Sequence, residues 1–395
     1  MIKKNVCVVT GSRAEYGLLF MLMKHIENSD ELNLQVVATG MHLSPEFGMT
    51  YKEIENDGFF VNKKIEMLLS SDTPTGVSKS IGIGICGMAD AFEDLRPDIL
   101  VLLGDRFELL AAAISALIGK LPIAHIHGGE VTLGAFDEAI RHSITKMSHL
   151  HFTATEDYRN RVIQLGEHPE TVFNVGGLGI DNIFGLNLLS RVKLEKKIGM
   201  TLARKNLLVT FHASTLEKEH PAQQFQSLYD ALEEYGDANI IFTKTNADTY
   251  GRAINRMIDE FVENNKKRSV AHTSLGQIGY LSALKYVDAV VGNSSSGLLE
   301  APSFGIGTIN IGDRQKGRIK AASVIDCMPM RENILDALHK IYSQSFQKKL
   351  LSVSNPYGEG GASLKIVEKL KKLDINNIDV QKTFFDLDVK FTIKA

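Results

Sequence analysis

Short, nearly unbroken runs of β-branched and aliphatic residues recur along this chain, each ending in a glycine-rich or polar turn and followed by an amphipathic or alanine-rich segment. Residues 6–10 end at Gly11-Ser12-Arg13, residues 34–39 at Gly40, residues 98–103 at Gly104-Asp105-Arg106, and residues 122–126 at His127-Gly128-Gly129-Glu130. Strands with no polar face are buried on both sides, which calls for a parallel sheet covered by helices above and below. Helical patterns at 77–95, 107–118, 137–147 and 157–165 supply that cover, with a further short strand at 150–153. Such sheets bind ligands at the carboxyl ends of their strands. Arg13, Asp105, Arg106 and Glu130 therefore belong on one edge, although they come from three different strands.

The pattern pauses at 186–205, a polar stretch containing Arg191-Val-Lys-Leu-Glu-Lys-Lys that reads as a linker, and then restarts. Strands are expected at 206–211, 239–242, 289–291 and 306–311, with helices at 221–234, 248–263, 276–285, 298–304, 330–343 and 361–373. A chain of 395 residues is too long for one core. The expected fold class is α/β, with two similar parallel-sheet domains in tandem at 1–185 and 200–360. A helix and tail at 361–395 is expected to pack back on the first domain.

Composition narrows the functional class. A formal net charge of −3 provides no basic field for nucleic acid or a membrane surface, so an anionic ligand must be held by a few placed groups. Cys7, Cys86 and Cys327 are too widely spaced for a metal or redox pair and suit a reducing compartment. The first apolar run is broken by Gly11 and Arg13, and no run approaches the ~18 apolar residues of a membrane span. A cytoplasmic location is expected.

Several segments carry chemistry. Gly292-Asn-Ser-Ser-Ser-Gly-Leu-Leu-Glu300 sets small hydroxyl residues at a strand-to-helix junction, where free backbone N–H groups and the helix dipole favour an anion. Ser294 and Ser295 would donate to phosphate oxygens and Glu300 would accept from ribose, whereas a plain serine helix cap explains the same residues. Gly11-Ser-Arg-Ala-Glu-Tyr-Gly17 is a second such turn. It is not GxGxxG, which argues against a dinucleotide cofactor, and Arg13 either neutralises a diphosphate or decorates the surface. His125 and His127, two apart on a strand, share one face and invite a zinc reading, but HExxH spacing is missing, so no metal is expected. Asp105, Glu130 and Asp137 can form a cluster whose mutual repulsion raises one pKa and leaves a general acid or base. Asp137 and Arg141, one helical turn apart, equally suit a surface ion pair. His212 directly follows a strand, a position open to either a structural or a catalytic role.

Taken together, Gly11-Ser-Arg-Ala-Glu-Tyr, Gly104-Asp-Arg-Phe-Glu, His127-Gly-Gly-Glu, Asp137-Glu-Ala-Ile-Arg-His-Ser-Ile-Thr-Lys146, Gly292-Asn-Ser-Ser-Ser-Gly and Gly312-Asp-Arg-Gln-Lys-Gly-Arg318 resemble, in order and over essentially the whole chain, the hydrolysing UDP-N-acetylglucosamine 2-epimerases of bacterial sialic-acid and legionaminic-acid pathways. The resemblance implies a glycosyltransferase-B-like pair of Rossmann-like domains with the active site in the cleft between them. It places Arg13, Arg106, Asn246, Ser294, Ser295, Glu300 and Arg314 at UDP contacts. Asp105, Glu130 and Asp137 fall at its catalytic carboxylates. His212 falls at a UDP contact and is counted with the catalytic set, while His127, Arg141 and His142 fall on the substrate side. Two positions depart from the pattern: His127 stands where non-hydrolysing relatives and the animal enzyme carry glutamate, and Ala213 stands where proline is usual.

The implied reaction turns UDP-N-acetylglucosamine into N-acetylmannosamine and UDP, by elimination to a 2-acetamidoglucal and rehydration. It requires no redox cofactor or metal. Residues 66–79 and the Thr-Phe-Phe-Asp-Leu run at 383–387 are similar to the subset acting on UDP-N,N'-diacetylbacillosamine, the 6-deoxy diacetamido analogue, by the same chemistry. The family suggests a homodimer or homotetramer, with first-domain helices at the interface. A UDP-sugar glycosyltransferase, a non-hydrolysing epimerase and a non-catalytic nucleotide-sugar-binding regulator are the rival readings.

Overall fold

A computed structural model of the chain describes residues 3–69, 71, 73–132, 136–212, 221–244, 251–374 and 380–387. They form two compact α/β units, one built from Met1–Asn182 with Gly360–Ala395 and the other from Ile183–Glu359. Among the described residues no helix is long and apolar enough to cross a membrane.

The first unit contains β1 (Lys4–Thr10), β2 (Leu32–Thr39), β3 (Lys63–Ile65), β4 (Ile99–Leu103), β5 (Ile123–Ile126), β6 (Leu150–Thr153) and β7 (Val172–Asn174). All pair in parallel, in the order β3-β2-β1-β4-β5-β6-β7. Alternate residues of β1 explain the layering. Val6 and Val8 enter a core with Leu19, Leu22, Met23 and Ile26 of helix Arg13–Glu27, and Cys7 and Val9 enter another with Leu109, Ala112 and Ala113 of helix Phe107–Ile118. Both faces of the sheet are thus apolar, as the unbroken runs require.

Helix Ala362–Lys372 belongs to this unit. It buries Ile366, Val367 and Leu370 in the first core, at about 1.5–3 kcal/mol per side chain. Its ends are held by residues far away in sequence. The Asp181 carboxylate accepts from the N–H groups of Ala362 (3.0 Å) and Ser363 (2.6 Å), and the Lys4 ammonium donates to the carbonyls of Lys371 and Leu373 (both 2.5 Å). A carboxylate at the start and an ammonium at the end both complement the helix dipole.

The second unit contains β8 (Asn206–Thr210), β9 (Asn239–Thr243), β10 (Ser269–His272), β11 (Ala289–Gly292), β12 (Gly307–Ile311) and β13 (Val324–Cys327). They pair in parallel in the order β10-β9-β8-β11-β12-β13. Residues 186–205 are not an open linker. They include helix Arg191–Ile198, whose Leu194 and Ile198 are buried, while its charged residues are the solvent face of an amphipathic element. The helix expected at 298–304 is also different: one turn, Ser296–Leu299, gives way to a 3-10 turn, Ala301–Phe304, because Pro302 has no N–H to continue an α-helix.

Both sheets carry the strand order 3-2-1-4-5-6 of the doubly wound fold, the first with one strand added. Their order reverses between β1 and β4 and between β8 and β11. At these switch points neighbouring crossovers diverge and leave a crevice at the carboxyl ends. Residues 11–13 and 104–106 sit at the first crevice, and residues 212 and 293–295 at the second.

Candidate active site

At the first switch point, β1 ends in Gly11-Ser12, and Ser12 caps helix Arg13–Glu27. The Glu15 carboxylate reaches back to accept from the Gly11 N–H at 2.8 Å. Arg106, just past β4, makes a two-pronged pair with Glu108, Nε to Oε2 at 3.1 Å and a terminal nitrogen to Oε1 at 2.8 Å. Glu108 is fully buried and Arg106 about one-third exposed. The pair needs Gly40, which lies in the left-handed region at φ +57°, where a β-carbon would stand 2.7 Å from Glu108 Oε1. Burial pushes the Glu15 carboxyl up to about 8, although Arg106 pulls the other way. Arg106 thus pairs with Glu108, while burial favours a proton on Glu15 at neutral pH. Arg13 is half exposed and pairs with Glu53 at 3.2 Å.

The carboxylates collect around Arg141. Its guanidinium is buried, donates to Asp105 Oδ2, to Thr132 Oγ1 at 2.8 Å and to the His127 carbonyl at 3.0 Å, and lies 3.9 Å from Glu130 Oε2. Sequence spacing suggested an ion pair with Asp137, one turn back on the same helix. Arg141 instead turns into the sheet edge, where the segments after β4 and β5 deliver Asp105 and Glu130. Glu130 Oε1 lies 3.2 Å from His127 Nδ1, and the Leu178 N–H approaches His127 Nε2 at 3.4 Å. Burial raises the Asp105 pKa, Arg141 opposes it, and Asp137 and Glu130 add to the rise. His142 pairs with Glu138 at 3.5 Å.

His125 and His127 do not share a face. β5 ends at Ile126, and His127 turns away at φ +65°. His125 is buried with Nε2 on the Gly104 carbonyl (2.8 Å) and Nδ1 on Thr145 Oγ1 (3.1 Å), and burial pushes its pKa down to about 3. It is a neutral tie between two site-forming segments.

At the second switch point, Gly292 has φ +135°, and a β-carbon there would stand 2.0 Å from the Thr210 carbonyl, so only glycine lets β11 turn beside β8. Asn293 then staples two loops. Its Oδ1 accepts from the His212 N–H (2.7 Å), its Nδ2 donates to the His212 carbonyl (2.8 Å), and its own carbonyl accepts from Arg314 and Gln315 (both 2.9 Å). Ser294 and Ser295 lead into the single turn Ser296–Leu299. Burial pushes the Glu300 carboxyl up to about 7, and its buried Oε2 has no hydrogen-bond partner among the described residues. Asn246 lies outside the described residues.

In each unit, then, the expected residues gather at a switch point: Arg106, Asp105, Glu130, His127 and Arg141 in one, and His212, Ser294, Ser295 and Arg314 in the other. Glu15, Glu108, Thr132 and Asn293 were not singled out from sequence. All four stand inside or beside the quoted motifs, which was the only available signal.

A family model described as UDP-N-acetylglucosamine 2-epimerase matches residues 24–371. The chain belongs to this family. Over 389 residues it is 43% identical to the GDP/UDP-N,N'-diacetylbacillosamine 2-epimerase (hydrolyzing) of Campylobacter jejuni, covering 98% of this chain and 100% of the relative. Polysialic acid biosynthesis protein P7 of Escherichia coli is 38% identical, over 97% of this chain and 98% of the relative. The UDP-N,N'-diacetylbacillosamine 2-epimerase (hydrolyzing) of Legionella pneumophila is 36% identical, over 95% and 98%. Among solved structures, UDP-GlcNAc 2-epimerase from Neisseria meningitidis bound to UDP-GlcNAc superposes with a TM-score of 0.81 at 18% identity, covering 93% of this chain and 100% of that one. The two-unit, glycosyltransferase-B-like fold is therefore that of the epimerase family.

Proposed function

We propose that this chain is a hydrolysing UDP-sugar 2-epimerase whose preferred substrate is UDP-N,N'-diacetylbacillosamine. The observation that carries the chemistry is the cluster in which Arg141 bridges Asp105 and Glu130 beside His127. In the first step a carboxylate of the set Asp105, Glu130 and Asp137 takes the C2 proton. The C2–H electron pair becomes the C1=C2 bond as C1–O breaks and UDP leaves. Water then adds at C1, and a proton returns to C2 from the opposite face, giving the free manno-configured sugar. C2–H has no adjacent carbonyl to acidify it, so the base must act as charge develops at C1. Handling the proton on two faces calls for more than one acid–base group.

On the nucleotide side, Arg13, Arg106, Arg314, Ser294 and Ser295 would stabilise the charge that develops on the departing diphosphate. Glu300 would accept from ribose with its unpaired oxygen, and Asn246 and His212 would complete the UDP contacts. His127 and His142 stand on the sugar side.

Support for the diacetamido sugar comes from the relatives at 43% and 36% identity that carry its name, and from residues 66–79. UDP-N-acetylglucosamine, placed first on sequence alone, is the second reading, favoured by the relative at 38% identity named for polysialic acid biosynthesis. One small group is worth only about 1–3 kcal/mol to a pocket, so turnover of both sugars is expected, at different rates. The same reading includes a homodimer or homotetramer.

The test is incubation with each UDP-sugar in D2O, without an acceptor. UDP and a free manno-configured sugar deuterated at C2 are expected. Asp105→Asn and Glu130→Gln should each slow turnover by about 10²–10⁴-fold with UDP affinity nearly unchanged. Intact UDP-sugar without exchange, for both substrates, refutes the reading.

A further inference from the structure

Residues 380–387 lie along the first unit, next to the carboxyl end of the helix that carries Asp137 and Arg141. The Phe385 N–H donates to the Gly166 carbonyl at 3.0 Å, and its ring packs with Val162, Ile163 and Val172. The Phe384 ring covers Gly166 so closely that a β-carbon there would stand 2.2 Å from it. Lys382 reaches inward between these contacts. Its ammonium donates to the carbonyls of Lys146 (2.8 Å) and Ser148 and pairs with Glu167 Oε2 at 2.7 Å. Glu167, itself 2% exposed, also binds Lys146 Nζ at 2.6 Å and His151 Nε2 at 2.8 Å.

Helix Asp137–Met147 ends at Ser148, so the two carbonyls that Lys382 engages are at the helix's carboxyl terminus, where backbone acceptors lack intrahelical donors and a cation complements the dipole. Lys4 holds helix Ala362–Lys372 in the same manner. Helix Asp137–Met147 is held along its length: Arg141 ties its inner face to Asp105, Thr145 meets His125, and at its end Lys146 and Lys382 both engage Glu167, which reaches His151 on β6. Sliding the helix would move Arg141 and Asp137 together relative to Asp105 and Glu130.

We propose that Lys382 is a positioning residue for the epimerase reaction, fixing helix Asp137–Met147 along its axis so that Arg141 and Asp137 meet the carboxylates delivered by β4 and β5. The proposal rests on the function given above. It assigns a role in catalysis to the Thr-Phe-Phe-Asp-Leu segment, whose two phenylalanines clamp the strap that carries Lys382.

The experiment compares full-length wild type with Lys382→Met, which keeps the stem and removes the donors, and Lys382→Arg, which restores them. Lys382→Met should lower kcat by about tenfold to a hundredfold, the cost of a misplacement near 1 Å, with KM and UDP affinity within about twofold of wild type. Lys382→Arg should recover most of the loss. Amide hydrogen exchange at residues 143–148 should quicken in Lys382→Met and return toward wild type in Lys382→Arg. If Lys382→Met misfolds, Lys382→Gln carries the same comparison. An unchanged kcat, a loss that arginine does not repair, or unchanged exchange at 143–148 overturns the proposal. If wild type turns over neither UDP-sugar, the functional reading falls, and the exchange data still decide whether Lys382 holds the helix.

Discussion

At the first switch point two buried acids, Glu15 and Glu108, lie near one another with different partners. Glu108 faces the fork of Arg106, whereas Glu15 accepts from the Gly11 N–H and the Ser12 hydroxyl and is otherwise enclosed. The Glu15 carboxyl stands at about 8 in the fold against an ordinary 4.5. Folding therefore favours its protonated form. That contribution is complete below about pH 4.5, shrinks as pH rises, and is gone above about pH 8, a loss on the order of 3–5 kcal/mol if no other group compensates. Glu15→Gln mimics the protonated acid and should flatten this limb. Thermal melts from pH 5 to 9 should show wild type falling away from the variant as pH rises; parallel curves would contradict the assignment.

Among elements, the interior strands were legible and the margins were not. Runs such as Ile99–Leu103 and Asn206–Thr210 are buried at every position, and that continuity marks a covered parallel strand in any sequence. Lys63–Ile65, Val172–Asn174, Ser269–His272 and Val324–Cys327 were not expected, and each is the edge of its sheet. They are three or four residues long and partly exposed, so too little apolar sequence remains to stand out. The site follows the same rule. Residues directly after interior strands were placed at the correct sheet edge, but the partner of Arg141 was not, because its contact with Asp105 spans 36 positions and leaves no periodic trace. Asn293 is another case, since its value lies in joining loops from different strands. Asn293→Ala removes both side-chain bonds to His212 and should cost about 1–3 kcal/mol while weakening UDP binding more than it lowers kcat. Denaturant melts and UDP titration would check both halves; intact affinity would show that the staple does not serve the nucleotide.

For the molecule as a whole, the proposed oligomer would seat on an apolar patch of the first unit. Ile83, Leu117 and Ile118, from helices Pro74–Leu95 and Phe107–Ile118, are 40%, 46% and 79% exposed, large apolar groups on adjacent helices of the first unit. Ile118→Asp should shift the assembly toward smaller species in light-scattering chromatography without unfolding it, and an unchanged mass would move the interface elsewhere. The discontinuous make-up of that unit also orders events during synthesis. Its core includes Ile366, Val367 and Leu370, and the end of its helix Asp137–Met147 is held by Lys382. A nascent chain exposes every residue of the second unit before those arrive. The second unit can therefore mature on the ribosome while the first waits with an open flank, so late arrest or proteolysis near residue 360 should disturb the surroundings of Asp105 far more than its distance in sequence would suggest.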